Sequence, residues 1–379
     1  MTPTPATRPG ALSAAQMSQQ LASFPTYQSP AEAPARRFEA EATALWGGRV
    51  TPMMSGAGSA GRFSKAALAC PPTACTGSIE LAAGARSKSW RNPDAIENLV
   101  CVEGAVVVAF GPELADSVTL GLWDLVSIPQ GVRHEIRNAG GSVARLVAVL
   151  SMPATGNFDA VFDASAGETL GDAARAALGV RFDSAKGEAV DPAVIAGRTT
   201  RFATLVPYKK DLNRTGGLPP EATERLSAGS VFPLIVPEGH IGRSRTAPMY
   251  GNQGLYISIA ECTAGDDGPP PHAHSDTQES FYVLDGSFEI CTGFDNESVV
   301  AARPNDLFAV PTRLMRTFRN TSGKPARLLV IIQGPDRMQD TVSFSRSIGE
   351  EFKSRFGEEI IARYADIRMT FDAEQRLGA

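Results

Sequence analysis

Residues 271–286 read PHAHSDTQESFYVLDG: two histidines separated by one residue, a glutamate shortly after them, and a closing glycine. Residues 89–104, SWRNPDAIENLVCVEG, repeat that frame, with Trp90, Asn92, Glu97 and Gly104 over His272, His274, Glu279 and Gly286. A second pair of segments follows, WDLVSIPQGVRHEIRN at 123–138 and NDLFAVPTRLMRTFRN at 305–320. There Asp124, Pro129, His134 and Asn138 lie over Asp306, Pro311, Arg316 and Asn320. All these positions share one displacement (272 − 90 = 320 − 138 = 182) with no insertion between them. A fixed offset over that length points to a duplicated unit.

The first segment resembles the motif G-x5-H-x-H-x3,4-E-x6-G of the cupin superfamily, and the second resembles its motif G-x5-P-x-G-x2-H-x3-N. Asp266 stands where the leading glycine of the first is expected, and Trp123 where that of the second is. The resemblance covers roughly residues 78–152 and 255–335. It implies an all-β chain with a few helices: two tandem jelly-roll β-barrels, a helical linker and a C-terminal helix. The residues agree with this, because short β-rich runs such as Val106–Phe110 alternate with Gly and Pro turns.

The expected organisation runs as follows. Residues 1–38, rich in Pro, Ala and Ser, form a disordered tail or an oligomer arm anchored by Leu21, Phe24 and Tyr27. Residues 39–155 form the N-terminal barrel, 156–198 a partly helical linker with a helix from Glu168 to Leu178 ending at Gly179, and 199–340 the C-terminal barrel. In 341–379, Phe352, Phe356, Ile360, Tyr364 and Ile367 recur at helical spacing, which predicts an amphipathic helix broken at Gly357.

At 379 residues with 43% hydrophobic content the chain can bury two full cores. No apolar run has the length of a membrane span, and the N-terminus lacks the pattern of a secretory signal, so the cytoplasm is the expected location. The first 31 residues have no acid and hold Arg8, as a transit peptide would, but their prolines oppose an amphipathic helix. Five scattered cysteines without a CxxC pair fit free thiols in a reducing compartment. A net charge of −5 with no sustained basic run argues against a phosphate-binding surface for nucleic acid, and Lys209, Lys210 and Arg214 read as a solvated loop. Exposed sheet edges make a homo-oligomer the expected assembly.

His272 and His274 leave the same face of a strand, and Glu279 follows after a turn into the neighbouring strand. Two imidazoles and a carboxylate suit a divalent first-row metal, and the set leaves positions open for substrate and O2. Fe(II) is the expected ion, with Zn(II), Mn(II) and Ni(II) as alternatives. Arg316 stands where the second motif has a metal-binding histidine, and it has no lone pair to offer. It is expected to orient an anionic substrate, or else to turn to the barrel mouth and pair with an acid. Phe281, Phe308 and Phe318 share the interior face and are candidates for the substrate pocket, whereas Gln278 and Tyr282 have the opposite parity. His240 belongs to neither motif.

In the first copy only Glu97 and His134 remain as ligand types, so its site is expected to be vestigial, with Trp90 filling the space of a metal. The function expected is a metal-dependent bicupin oxidoreductase, a non-haem Fe(II) dioxygenase cleaving a carbon–carbon bond of a small aromatic or enolisable acid. Two-barrel ring-cleaving dioxygenases of the gentisate group are similar, although they rely on three histidines and a working N-terminal barrel. A non-redox metal enzyme (isomerase, cyclase, decarboxylase or hydrolase) and a non-catalytic small-molecule-binding bicupin are the other readings.

Overall fold

The computed structural model describes residues 10–24, 27–151, 158–167, 170–207, 218–238, 240, 247–250, 254–334 and 340–378. Lys209, Lys210, Arg214 and Glu168 lie outside them. The chain divides into two compact units, Gln28–Thr204 and Met1–Tyr27 with Leu205–Ala379.

Each unit is a pair of open, mostly antiparallel sheets in jelly-roll fashion, as the motifs implied. In the C-terminal unit one sheet runs Leu21–Ala22, Leu307–Val310, Gln278–Asp285, Ala326–Gln333, Leu255–Cys262 and Ser230–Ile235. Its partner runs Ser298–Ala302, Phe288–Thr292, Arg316–Asn320, His272–His274, Val342–Phe344 and Met369–Thr370. Alternate residues of the two sheets, Phe281, Val283, Phe308 and Val310 from the first with Phe288, Ile290 and Phe318 from the second, form one core. The N-terminal unit repeats this plan with a seven-stranded and a six-stranded sheet. Strand Ile96–Glu103 becomes Gln278–Asp285 (278 − 96 = 285 − 103 = 182), and Val106–Phe110 becomes Phe288–Thr292 at the same offset.

The segment read as a linker is part of the first unit. Ala160–Asp163 pairs with Trp90–Arg91, Val180–Asp183 runs parallel to it, and Thr199–Thr200 pairs with Leu125–Val126. The predicted helix is present as Asp172–Leu178 and ends at Gly179 in the left-handed conformation. In the C-terminal segment, helices Arg346–Phe356 and Glu359–Ala365 flank Gly357. Their apolar stripe, including Phe352, Ile360 and Tyr364, packs with Leu218, Ala222 and Leu226. Residues 10–24 fall in the stretch read as a tail or oligomer arm. They lie on the C-terminal unit: Leu21 pairs with Phe308, Met17 is buried, and the Asp306 carboxylate accepts hydrogen bonds from the Phe24 amide and the Ser23 hydroxyl.

The duplicated motif residues hold turns. Gly104 and Gly286 both have positive φ, and a Cβ at Gly286 would collide with that of Ala326. Asn138 donates from Nδ2 to the carbonyls of Leu81, Ala82 and Ser142, and Asn320 donates to those of Cys262, Thr263 and Lys324. The motif asparagine is thus a loop tie in both copies. Replacing either one by alanine leaves buried carbonyls unsatisfied, so Asn138→Ala and Asn320→Ala are each expected to cost about 2 kcal/mol. A fall in the urea midpoint, with activity of the folded fraction unchanged, is the measurement that checks this.

Candidate metal centre

Three prolines, Pro269 to Pro271, deliver the chain to the short strand His272–His274, which is paired on one side with Arg316 and on the other with Val342–Phe344. Strand alternation sends both imidazoles inward and Ala273 outward. Each ring is fixed through Nδ1. That of His272 lies 2.9 Å from the Pro270 carbonyl, and that of His274 lies 2.7 Å from Asp340 Oδ2. Both partners are acceptors, so Nδ1 carries the proton and Nε2 keeps its lone pair. Asp340 is itself held by the Thr277 hydroxyl at 2.5 Å and the Asp276 amide at 2.9 Å. Burial alone would raise its carboxyl, but the hydrogen bonds from His274, Thr277 and the Asp276 amide hold it at about 2.

Glu279 comes from the opposite sheet, where it pairs with Val310 and Ile332. Its Oε2 lies 3.8 Å from His272 Nε2 and 4.0 Å from His274 Nε2. The ligand atoms of the three residues fall within 4.8 Å of one another, and all three side chains are buried. Burial, reinforced by the charge of Arg316, lowers His272 to about 4, so its ring is neutral near pH 7. Burial would raise Glu279, but the Arg316 guanidinium together with the two histidines outweighs it and keeps the carboxylate ionised, well below the usual range.

Arg316 turns inward and is fully buried. Its Nε donates to Glu279 Oε2 at 2.8 Å, and its Nη1 donates to the carbonyls of His272 and Leu314. It is not among the described residues that line the adjoining cavity of about 180 Å³. That cavity opens over the two histidines and Glu279 and is walled mainly by apolar groups, Phe318, Phe344, Val330, Ile332 and Met369 among them. Of the three phenylalanines read as pocket residues, Phe318 is on the wall. Phe281 and Phe308 are paired with each other across strands and sit in the core, one pleat deeper than Glu279. His240, outside both motifs, lines the cavity; Tyr282 does not, its hydroxyl donating to Asn305 Oδ1 at 2.8 Å.

In the N-terminal unit the equivalent space is filled. Glu97 Oε2 accepts from the Trp90 indole at 3.0 Å and the Asn92 amide at 2.5 Å, and His134 Nε2 lies 3.2 Å away. Its other oxygen is ion-paired with Arg62, a residue the repeat does not mark. The Arg62 guanidinium lies over the rings of Phe63, Trp46 and Trp90 at 4.8, 5.0 and 5.5 Å. Burial would raise Glu97, but Arg62, His134 and Asn92 hold it at about 2. The ring centroids of Trp90 and His134 are 4.3 Å apart.

The sequence reading missed Asp340 as well as Arg62. A signal for Asp340 existed, because the offset continues past the second motif. Phe344 pairs with His272 as Phe162 pairs with Trp90 (344 − 162 = 182), and Asp340 then falls over the buried Phe158 (340 − 158 = 182). The first copy therefore lacks the histidine and also the acid that would orient it.

Residues 259–332 match the cupin domain family model. No curated protein matches the chain. Among solved structures it is similar to vicilin from Corylus avellana (hazelnut), with 16% identity over 76% of this chain and 86% of that one and a TM-score of 0.45. Vicilin from Solanum lycopersicum (tomato) gives 14%, 79%, 87% and 0.48, and oxalate decarboxylase from Bacillus subtilis gives 15%, 71%, 70% and 0.44. Residues 259–332 of the C-terminal unit are thus a cupin domain, and the N-terminal unit repeats its strand plan at the constant offset of 182.

Proposed function

We propose that the C-terminal cavity is the active site of a metal-dependent oxidoreductase, a non-haem Fe(II) dioxygenase that cleaves a carbon–carbon bond of a small aromatic or enolisable acid. The observation that carries this reading is the tethering of both imidazoles through Nδ1, which leaves two Nε2 lone pairs and one carboxylate oxygen converging at the floor of an apolar cavity. Bonds of about 2.1 Å to one ion place neighbouring ligand atoms roughly 3 to 3.5 Å apart. Separations of 3.8 and 4.0 Å need only a sub-ångström contraction, so the residues fit a metal. When bound, Fe(II) would supply open coordination positions and redox chemistry for dioxygen and substrate.

The chain's own groups have distinct roles in this reading. Asp340 orients His274 and fixes its tautomer, as a carboxylate behind a ligating histidine does. Phe318 and Phe344 pack against the apolar body of the substrate and exclude water. Arg316 holds the Glu279 carboxylate and, being cationic, opposes a dication about 6 Å away by roughly 5 kcal/mol at an effective dielectric near 20. An anionic substrate offsets that repulsion. The same ion pair favours the second reading, a metal-free binding module, because Arg62 neutralises Glu97 in the filled N-terminal unit in the same manner.

Protein purified under low oxygen without added metal is expected to hold about one iron per chain, and His272→Ala to hold less than a tenth of that. Stoichiometric zinc, manganese or nickel would move the reaction to Lewis-acid chemistry, and the absence of metal from both proteins would leave the binding module in front. Asp340→Asn is expected to weaken metal affinity by about 10- to 100-fold with the fold intact by circular dichroism. Unchanged affinity in a competition titration against a chelating dye would remove Asp340 from the site.

A further inference from the structure

Ser258 stands on strand Leu255–Cys262, in the sheet that carries Glu279. Strand alternation sends Tyr256, Ser258 and Ala260 to the cavity, which all three line, and Ile257 and Ile259 to the opposite face. Ser258 is 2% exposed, and its hydroxyl has no hydrogen-bond partner among the described residues. Its cross-strand neighbours are Val330 and Pro233, neither of which has a polar side chain. Other polar groups on the wall serve internal partners: Glu279 with Arg316, Asp340 with His274 and Thr277, and Ser227 with the Thr223 carbonyl. A hydroxyl taken out of water and left without a partner is unfavourable, whereas alanine at the same place is not. Strand formation and core packing therefore give no reason for a serine here.

The first unit shows what this position becomes where the space is filled. Val330 lies over Ala148 (330 − 148 = 182), and Ser258 pairs with Val330 as Gly77 pairs with Ala148. The counterpart of Ser258 is thus Gly77, one residue off the constant offset (258 − 77 = 181). A Cβ on Gly77 would collide with the Phe63 ring, which is fully buried in that core. In one unit an aromatic ring is packed against the position. In the other the space is cavity, and the wall behind it carries a hydroxyl.

The strand register places Ser258 relative to the candidate metal ligands. Glu279 pairs with Ile332 and Ile332 with Tyr256, two strand spacings away, and Ser258 is one same-face step further along. The backbones of Glu279 and Ser258 are therefore roughly 12 Å apart. Once the two side chains are counted, that gap suits an aromatic ring with a polar group at each end, and Val330 and Ile332 give it an apolar floor.

We infer that Ser258 is a specificity residue of the C-terminal cavity, hydrogen-bonded to a hydroxyl or carbonyl oxygen at the far end of the ligand. The ligand is then a small aromatic acid polar at both ends, with its acid or enol group toward the histidines. This rests on the reading of the cavity as the active site, and it adds a contact that lies outside both sequence motifs.

The test uses the full-length chain and calorimetric titration with 4-hydroxybenzoate beside benzoate and 4-hydroxyphenylpyruvate beside phenylpyruvate, with metal content measured on the same samples. The wild type is expected to bind at least one hydroxylated member tenfold or more tightly than its partner. Ser258→Ala should bind both members of that pair alike, at the metal content of the wild type. Its Tm without ligand should equal or exceed that of the wild type, because the variant removes an unpartnered hydroxyl. A Tm lowered by more than about 3 °C would mean that the hydroxyl serves the fold, and it overturns the inference. So does a wild type that prefers neither hydroxylated member, or a preference that survives in Ser258→Ala. A metal-free wild type whose preference still depends on Ser258 would sink the dioxygenase reading and keep the contact. Bound metal with a preference indifferent to Ser258 would do the reverse.

Discussion

A buried carboxylate between two sheets is the constraint on which each half of this protein depends. Glu97 and Glu279 occupy corresponding strands and lie away from water, where an uncompensated charge costs several kcal/mol. The first unit compensates completely, surrounding Glu97 with Arg62, Trp90, Asn92 and His134. The second compensates only in part. Glu279 has Arg316 at hydrogen-bonding distance, while the two imidazoles stand off at 3.8 and 4.0 Å with lone pairs facing it. One arrangement is a closed polar core, and the other leaves its carboxylate and two imidazoles on the wall of a cavity.

What the sequence could reveal follows from what spacing encodes. Alternation along a strand gives the face of a side chain, so the joint placement of His272, His274 and Glu279 was legible, as was the position of Gln278 and Tyr282 off the cavity wall. Alternation does not give depth. Phe281 follows Glu279 by two residues on the same face, yet that step of about 6.6 Å carries it from the cavity floor into the core. Arg62 was invisible for another reason. It reaches Glu97 from a loop 35 residues upstream, and no spacing rule places a loop. Asp340 was legible in principle through the offset that carries Phe162 onto Phe344, but the resemblance to known motifs stops at Asn320 and drew the reading no further.

The extent of the repeat changes how the C-terminal segment is understood. It looked like an appendage with a helical stripe, and it does contain those helices. It also brings Asp340, Phe344, Arg368 and Met369 to the site, two of them on strands that extend the histidine sheet. Because Val342–Phe344 is hydrogen-bonded to His272–His274, the geometry of the imidazoles and the wall of the cavity depend on one docking event. The helices' apolar stripe packs in one cluster with Leu226, Phe344 and Met369, which also line the cavity, so burial of the helices stabilises the cavity wall directly.

Arg316 then has a consequence for affinity. An ion entering the site must share Glu279 with a guanidinium that is buried and held by two backbone carbonyls, so the arginine cannot withdraw without leaving polar groups unsatisfied. The ion meets a carboxylate whose charge is already half committed, and binding is weaker than at a three-ligand site with a free acid. An incoming carboxylate or enolate restores the missing negative charge. A metal and an anion in this cavity would therefore stabilise each other, and by linkage each would raise the other's affinity by the same factor. A metal placed there would be held most firmly with an anion beside it, which follows from having arginine where the motif has a histidine.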